Sequence, residues 1–197
     1  MKKIVVITGS PRKNGNSFAM TKAFIQAAEA KGHTVTRFDA AQMSVNGCTA
    51  CHTCYKTDIA CSYKDDFNLI APTLVEADVV VFTMPLYWFS FPGKLKNVID
   101  KIYSLVVGGK NSNKQVALIT CGEINDSSSF DGLRIQFKRI AAYLKWEVLD
   151  MITIPGVNQE GDIYKTDGCQ KAIALAELLL QERGMCGNNY KQQETAE

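Results

Sequence analysis

The sequence predicts an α/β protein: a doubly wound parallel sheet of five strands with helices on both faces. Short apolar, β-branched runs alternate along the chain with longer stretches of helical period, which is the pattern of successive βαβ units. The third run, around Val79-Val80-Val81-Phe82, is apolar at successive positions, as in a strand covered on both sides. Right-handed crossovers then place helices on both faces of the sheet. Ligands in such sheets sit beyond the carboxyl ends of the strands, where the strand order reverses. The loops after the first, third and fourth strands are therefore the places to look for chemistry.

The elements follow in order. Residues 4–8 read as a short buried strand and 17–31 as a helix ended by Gly32. Residues 34–39 form the second strand, and 40–64 carry cysteines without a clear period, hence a loop. Asp65 or Asp66 can cap a helix over 67–76, before the strand 78–84. A helix over 92–107 has Pro92 in its first turn and Gly108-Gly109 after its end. Strand 115–120, helix 130–144, strand 146–155 and an amphipathic helix 168–183 complete the set. One domain over 1–184 with a polar tail over 185–197 is expected from a chain of 197 residues.

Hydrophobic residues make up 46 % and charged residues 21 %, which excludes a wholly disordered chain and a collagen-like fibre. No apolar run reaches the roughly 18 residues needed to cross a bilayer. The start, Met1-Lys2-Lys3-Ile4-Val5-Val6-Ile7, has too short an apolar stretch and no small-residue cleavage site for a signal peptide, so a cytoplasmic protein is expected. A net charge of +2 gives no reason to expect nucleic acid or an anionic membrane as partner.

The loop after strand one reads Gly9-Ser10-Pro11-Arg12-Lys13-Asn14-Gly15-Asn16-Ser17 and runs into a helix N-terminus. Unpaired N–H groups and the helix dipole make such a place an anion site, to which Ser10, Asn16 and Ser17 add donors and Arg12 a charge. The plainer reading is a solvated turn with Asn16 as N-cap. The loop matches neither a Walker loop nor Gly-x-Gly-x-x-Gly, so one terminal phosphate suits it better than a dinucleotide pyrophosphate. After strand three, Pro85-Leu86-Tyr87-Trp88-Phe89-Ser90-Phe91 places four aromatics in a loop. They suit a flat ring with an apolar face, or a subunit interface. Their concentration predicts a homo-oligomer, dimer or tetramer, built partly from residues 88–91.

Seven cysteines are present, and Cys48, Cys51, Cys54 and Cys61 fall within fourteen residues. Without a secretion signal, such a group reads first as metal, iron–sulfur or redox chemistry. Two-residue gaps let thiolates converge on one centre, and four thiolates satisfy a [4Fe–4S] cluster or a tetrahedral zinc. Buried or disulfide-prone thiols without metal are the plainer reading. His52, inside the motif, is read as a solvated loop residue; Cys121, Cys169 and Cys186 are scattered.

The segment 9–17, the segment 85–96 and the cysteine spacing together resemble the flavodoxin-like NAD(P)H-dependent FMN reductases, in their iron–sulfur flavoprotein branch, over roughly residues 1–155. The resemblance implies the strand order 2-1-3-4-5, with FMN at the carboxyl edge. It implies that Ser10, Arg12, Asn16 and Ser17, with Asn14 and Gly15, hold the FMN phosphate. It implies that Pro85, Leu86, Tyr87, Trp88 and Phe89 touch the ring, with Cys121, Gly122 and Glu123 on its pyrimidine side. Cys121 departs from the small or Gly-rich segment usual there. Cys48, Cys51, Cys54 and Cys61 are the implied cluster ligands. The expected activity is hydride transfer from NADH or NADPH to FMN, then electron transfer to a quinone, flavin, nitro- or azo-aromatic, redox protein or the cluster. The cofactor carries that chemistry, so no catalytic side chain is nominated. A flavodoxin-type electron carrier without a nicotinamide site is the alternative, weakly disfavoured by the +2 charge.

Overall fold

The computed structural model describes residues 1–56 and 60–179. The expected tail, Cys186 and the end of the last helix beyond Leu179 lie outside the described residues. The strands are β1 (Lys3–Thr8), β2 (Thr34–Asp39), β3 (Val79–Pro85), β4 (Gln115–Cys121) and β5 (Glu147–Ile154). The helices are α1 (Asn16–Ala30), α2 (Phe67–Glu76), α3 (Gly93–Val107), α4 (Asp131–Leu144) and α5 (Gly168–Leu178). The sheet is all parallel, in the order β2-β1-β3-β4-β5, and its topology is flavodoxin-like.

Alternation along the central strands builds two cores from one sheet. Ile4, Val6, Val79, Val81, Ala117 and Ile119 pack with Met20 and Phe24 of α1 and Leu175 of α5. Val5, Ile7, Val80, Phe82, Met84 and Leu118 pack on the other side with Phe67, Leu95, Ile102 and Phe137 of α2, α3 and α4. The edge strands β2 and β5 are only half buried. Among the described residues, no helix is long and apolar enough to cross a membrane.

Element ends shift where caps decide them. Gly15, not Asn16, is the N-cap of α1, and no side chain bonds that end. Asp66 is the N-cap residue of α2 but makes no side-chain cap, while Asp65 Oδ1 accepts from the Phe67 N–H at 3.1 Å. Asp66 instead accepts from Ser44 N. Trp146 precedes β5 because its N–H bonds Ala141 O at the end of α4 and its indole N–H bonds Asn111 Oδ1.

Candidate functional site

Parallel strands all deliver their following loops to one edge of the sheet. There the loops after β1, β3, β4 and β5 enclose a cavity of about 210 Å³. The first wall is the turn before α1. Ser10 Oγ accepts from Arg12 N at 3.2 Å, and Arg12 O accepts from Gly15 N at 3.4 Å, which folds the segment back on itself. A Cβ on Gly15 would stand 3.1 Å from Arg12 Cβ, so glycine permits this tight return. Ser10, Arg12, Gly15, Asn16 and Ser17 all line the cavity, and the first turn of α1 has neither a side-chain cap nor an acidic residue. An anion is what such an end lacks.

The side-chain amide of Asn16 is engaged elsewhere. It donates to Gln159 O at 2.7 Å and accepts from Gly161 N at 3.0 Å, tying the loop after β5 to the turn. Asn14 is exposed and lies outside the cavity wall.

The second wall is Pro85, Leu86 and Tyr87, and the third is Cys121, Gly122 and Glu123. Backbone bonds fasten them together: Leu86 N donates to Cys121 O at 2.8 Å, and Gly122 N to Ile154 O at 3.0 Å. Cys121 is 4 % exposed, and burial pushes its thiol up to about 12, so it stays neutral. Trp88 and Phe89 do not join the wall. They form the two central residues of a tight turn closed by Tyr87 and Ser90, both at positive φ, and Trp88 is 93 % exposed. Phe91 turns into the core.

The loop after β5 supplies a fourth wall, Val157, Asn158 and Glu160, which sequence reasoning missed. Asn158 Nδ2 donates to Glu123 Oε1 at 3.3 Å across the mouth. The signal was available: the polar segment after β5, flanked by Gly156 and Gly161, leaves the same sheet edge as the other loops.

A second cavity, about 160 Å³, opens in the loop after β2. Cys48, Cys51, Cys54 and Cys61 all line it, with Tyr63 from the loop and Lys101 and Ser104 from α3. Asn68 of α2 pins the loop's end, accepting from Cys61 N and donating to the carbonyls of Cys61 and Tyr63. The Thr53 hydroxyl donates to Cys51 Sγ at 3.3 Å, and hydrogen bonds from Thr53 pull the Cys51 thiol down to about 7. Burial pushes the Cys54 thiol up, and the neighbouring Cys51, Cys48 and Cys61 add to that. His52 is exposed, as expected of a solvated loop residue, and also lines this cavity. Among the described residues, no three His, Cys, Asp or Glu side chains stand as a metal-holding group. The donor set fits a thiolate-ligated centre in number, softness and common cavity, and the thiols would have to draw inward to close on it. The described cysteines are all free thiols, and Cys169 stands outside this group.

The doubly wound sheet with its ligand mouth at the switch of strand order defines a flavodoxin-like protein. The chain belongs to the NADPH-dependent FMN reductase family, whose model matches residues 2–158. Its class is thus that of the NAD(P)H-dependent FMN oxidoreductases. Within the family it stands with the iron–sulfur flavoproteins. It is 30 % identical over 135 residues to an iron-sulfur flavoprotein of Methanocaldococcus jannaschii, covering 60 % of this chain and 68 % of that protein. It is 32 % identical over 100 residues to one of Archaeoglobus fulgidus, covering 51 % of this chain and 45 % of the relative. The chain thus spans between about half and two thirds of these relatives. The fold matches an NAD(P)H:quinone oxidoreductase from Methanothermobacter marburgensis with a TM-score of 0.77 at 16 % identity, covering 93 % of this chain and 98 % of the other.

Proposed function

We propose that this chain uses FMN in the mouth of the sheet and a [4Fe–4S] cluster on Cys48, Cys51, Cys54 and Cys61 to move electrons from NAD(P)H to a small-molecule acceptor or redox protein. The observation that carries the reading is the gathering of all four cysteines around one cavity, in a chain whose sheet edge holds a separate mouth lined for a phosphate and a flat ring. FMN supplies hydride acceptance and onward electron transfer when bound.

The chain's own residues bind, orient and shield. Ser10, Arg12, Ser17 and the uncapped N–H groups of α1 hold the phosphate. Pro85, Leu86 and Tyr87 give the apolar wall against which a ring lies flat. Gly122 keeps the opposite wall thin, since a Cβ there would meet Leu86 Cβ and Phe130 Cζ at 3.3 Å. Val157 and Asn158 narrow the entrance against water, with Asn158 held on Glu123. The iron–sulfur names of the relatives support the cysteine assignment.

The test is a visible spectrum of anaerobically purified protein, followed by reconstitution with iron and sulfide and iron counting. Wild type is expected to bind FMN and iron. Cys54→Ala is expected to lose iron while retaining FMN, because the buried strands lie outside the cysteine loop. Wild type that takes up no iron would leave a plain FMN reductase.

A further inference from the structure

Lys101, which lines the cysteine cavity, forms an ion pair with Asp65, which does not, and each side chain is only 3 % exposed. Two buried ions are costly to desolvate, and a pair of apolar residues would often serve stability equally well. Its position points to what the pair does. Asp65 Oδ2 also accepts from Asn46 N at 3.0 Å, and Oδ1 accepts from Phe67 N. Residue 46 enters the cysteine loop and residue 65 leaves it, so one carboxylate draws both ends together. Lys101 fixes that carboxylate to α3, the helix that begins just after the flavin-side loop.

The ammonium of Lys101 also lies 5.8 Å from the centre of the Tyr63 ring, which lines the cavity with it. The Tyr63 hydroxyl in turn accepts from Thr49 Oγ1 at 3.2 Å, one residue from Cys48. The other charged group in the wall, Asp100, is exposed and paired with Lys96 at 2.6 Å. Lys101 is therefore a buried cation facing a cavity that four thiolates would fill with negative charge.

We infer that Lys101 is a positioning residue of the cysteine site: anchored on Asp65, it closes the loop's two ends onto α3 and favours the more negative, reduced state of a centre held there. This rests on the cluster reading proposed above. One-electron reduction adds one negative charge and breaks no bond, so a fixed buried cation stabilises the reduced form and a fixed buried anion opposes it.

The experiment is an optical redox titration with dithionite of the holoprotein reconstituted with iron and sulfide, for wild type, Lys101→Met, Asp65→Asn and Lys101→Arg. FMN content and circular dichroism report folding. Lys101→Met is expected to disfavour cluster reduction at least tenfold, about 59 mV for a one-electron couple. Asp65→Asn, whose one amide oxygen can keep the bond from Asn46 or the bond from Phe67 but not both, is expected to shift it the opposite way. Lys101→Arg is expected to stay within about threefold of wild type, because the charge is retained. A purely structural pair would shift both removals in one direction or neither, and that result overturns the inference while leaving the cluster reading intact. If Lys101→Met fails to fold or to keep iron, Asp65→Asn decides by the sign of its shift alone, and a fall or no change overturns the inference. Wild type that takes up no iron overturns the cluster reading and this one with it.

Discussion

Arg12 lies in the turn after β1 and Ser17 in the first turn of α1, and both line the mouth. Hydrogen bonds to a charged group contribute about 1.5–3 kcal/mol each. The double change Arg12→Ala, Ser17→Ala is therefore expected to weaken FMN binding by about 2–4 kcal/mol, read by calorimetric titration of the apoprotein. The flavin released on mild denaturation is expected to be FMN; FAD would contradict the one-phosphate reading of the turn. His33 is a residue-scale case of stability rather than function. Its Nδ1 accepts from Lys2 N at 3.1 Å, while Nε2 is buried without a hydrogen-bond partner. Burial first, then the N-terminal amine and Lys2, lower its pKa. The unfolded chain thus takes up the proton first as pH falls through about 6.5, and the folded state loses stability from there down to the folded pKa. Urea midpoints of wild type should fall between about pH 7 and 5, and the slope should flatten in His33→Asn, whose amide oxygen can still accept from Lys2. An unchanged slope would mean that His33 does not cause the acid loss of stability.

Elements show where local sequence suffices and where it does not. Runs such as Ile4–Ile7 and Val79–Phe82 declare their strands because burial on both faces demands apolar side chains at every position. The strand order, by contrast, is not local: periodicity does not order strands, and only the likeness to a family implies it. The phosphate-type turn was legible because glycine, serine and asparagine before a helix have a mechanism. The role of Asn16 was not, because its partners, Gln159 and Gly161, lie more than 140 residues away. The placing of Trp88 and Phe89 was illegible for another reason: aromatic composition does not reveal that a tight turn carries them off the wall. Lys114 makes the same point. No basic residue closes α2 from its own last turn; Lys114, 4 % exposed, donates instead to the carbonyls of Val75 and Ala77, at 2.9 and 2.7 Å. Lys114→Met would leave those carbonyls without their donor but relieve a buried charge. A net loss of about 1–3 kcal/mol is expected in denaturant unfolding, with FMN affinity unchanged.

On the scale of the whole molecule, one face remains uncovered. Trp88 and Phe89 stack on each other with ring centres 6.4 Å apart, at the tip of the turn after β3. Ser90 of that turn donates to Gln136 of α4, so the tip belongs to the same face as the groove between α3 and α4. Ile99, Ile135, Ile140 and Leu144 line that groove, and Tyr103 and Tyr143 stack beside it at 6.3 Å. Bulky residues at φ values of 50° and 62° cost about 1–3 kcal/mol each, a strain that persists only where the surroundings enforce it or a function gains from it. A second copy of the chain covering the tip and the groove would bury both apolar surfaces at once, and a stable interface needs roughly 800 Å² from each partner. Light scattering at high micromolar concentration should therefore return at least twice the 21.7 kDa chain mass. Trp88→Asp with Tyr143→Asp should shift the protein toward the monomer without loss of helicity, because both side chains are largely exposed within one chain. Wild type running at the mass of one chain would mean that this face serves another partner, and the dimer would be abandoned.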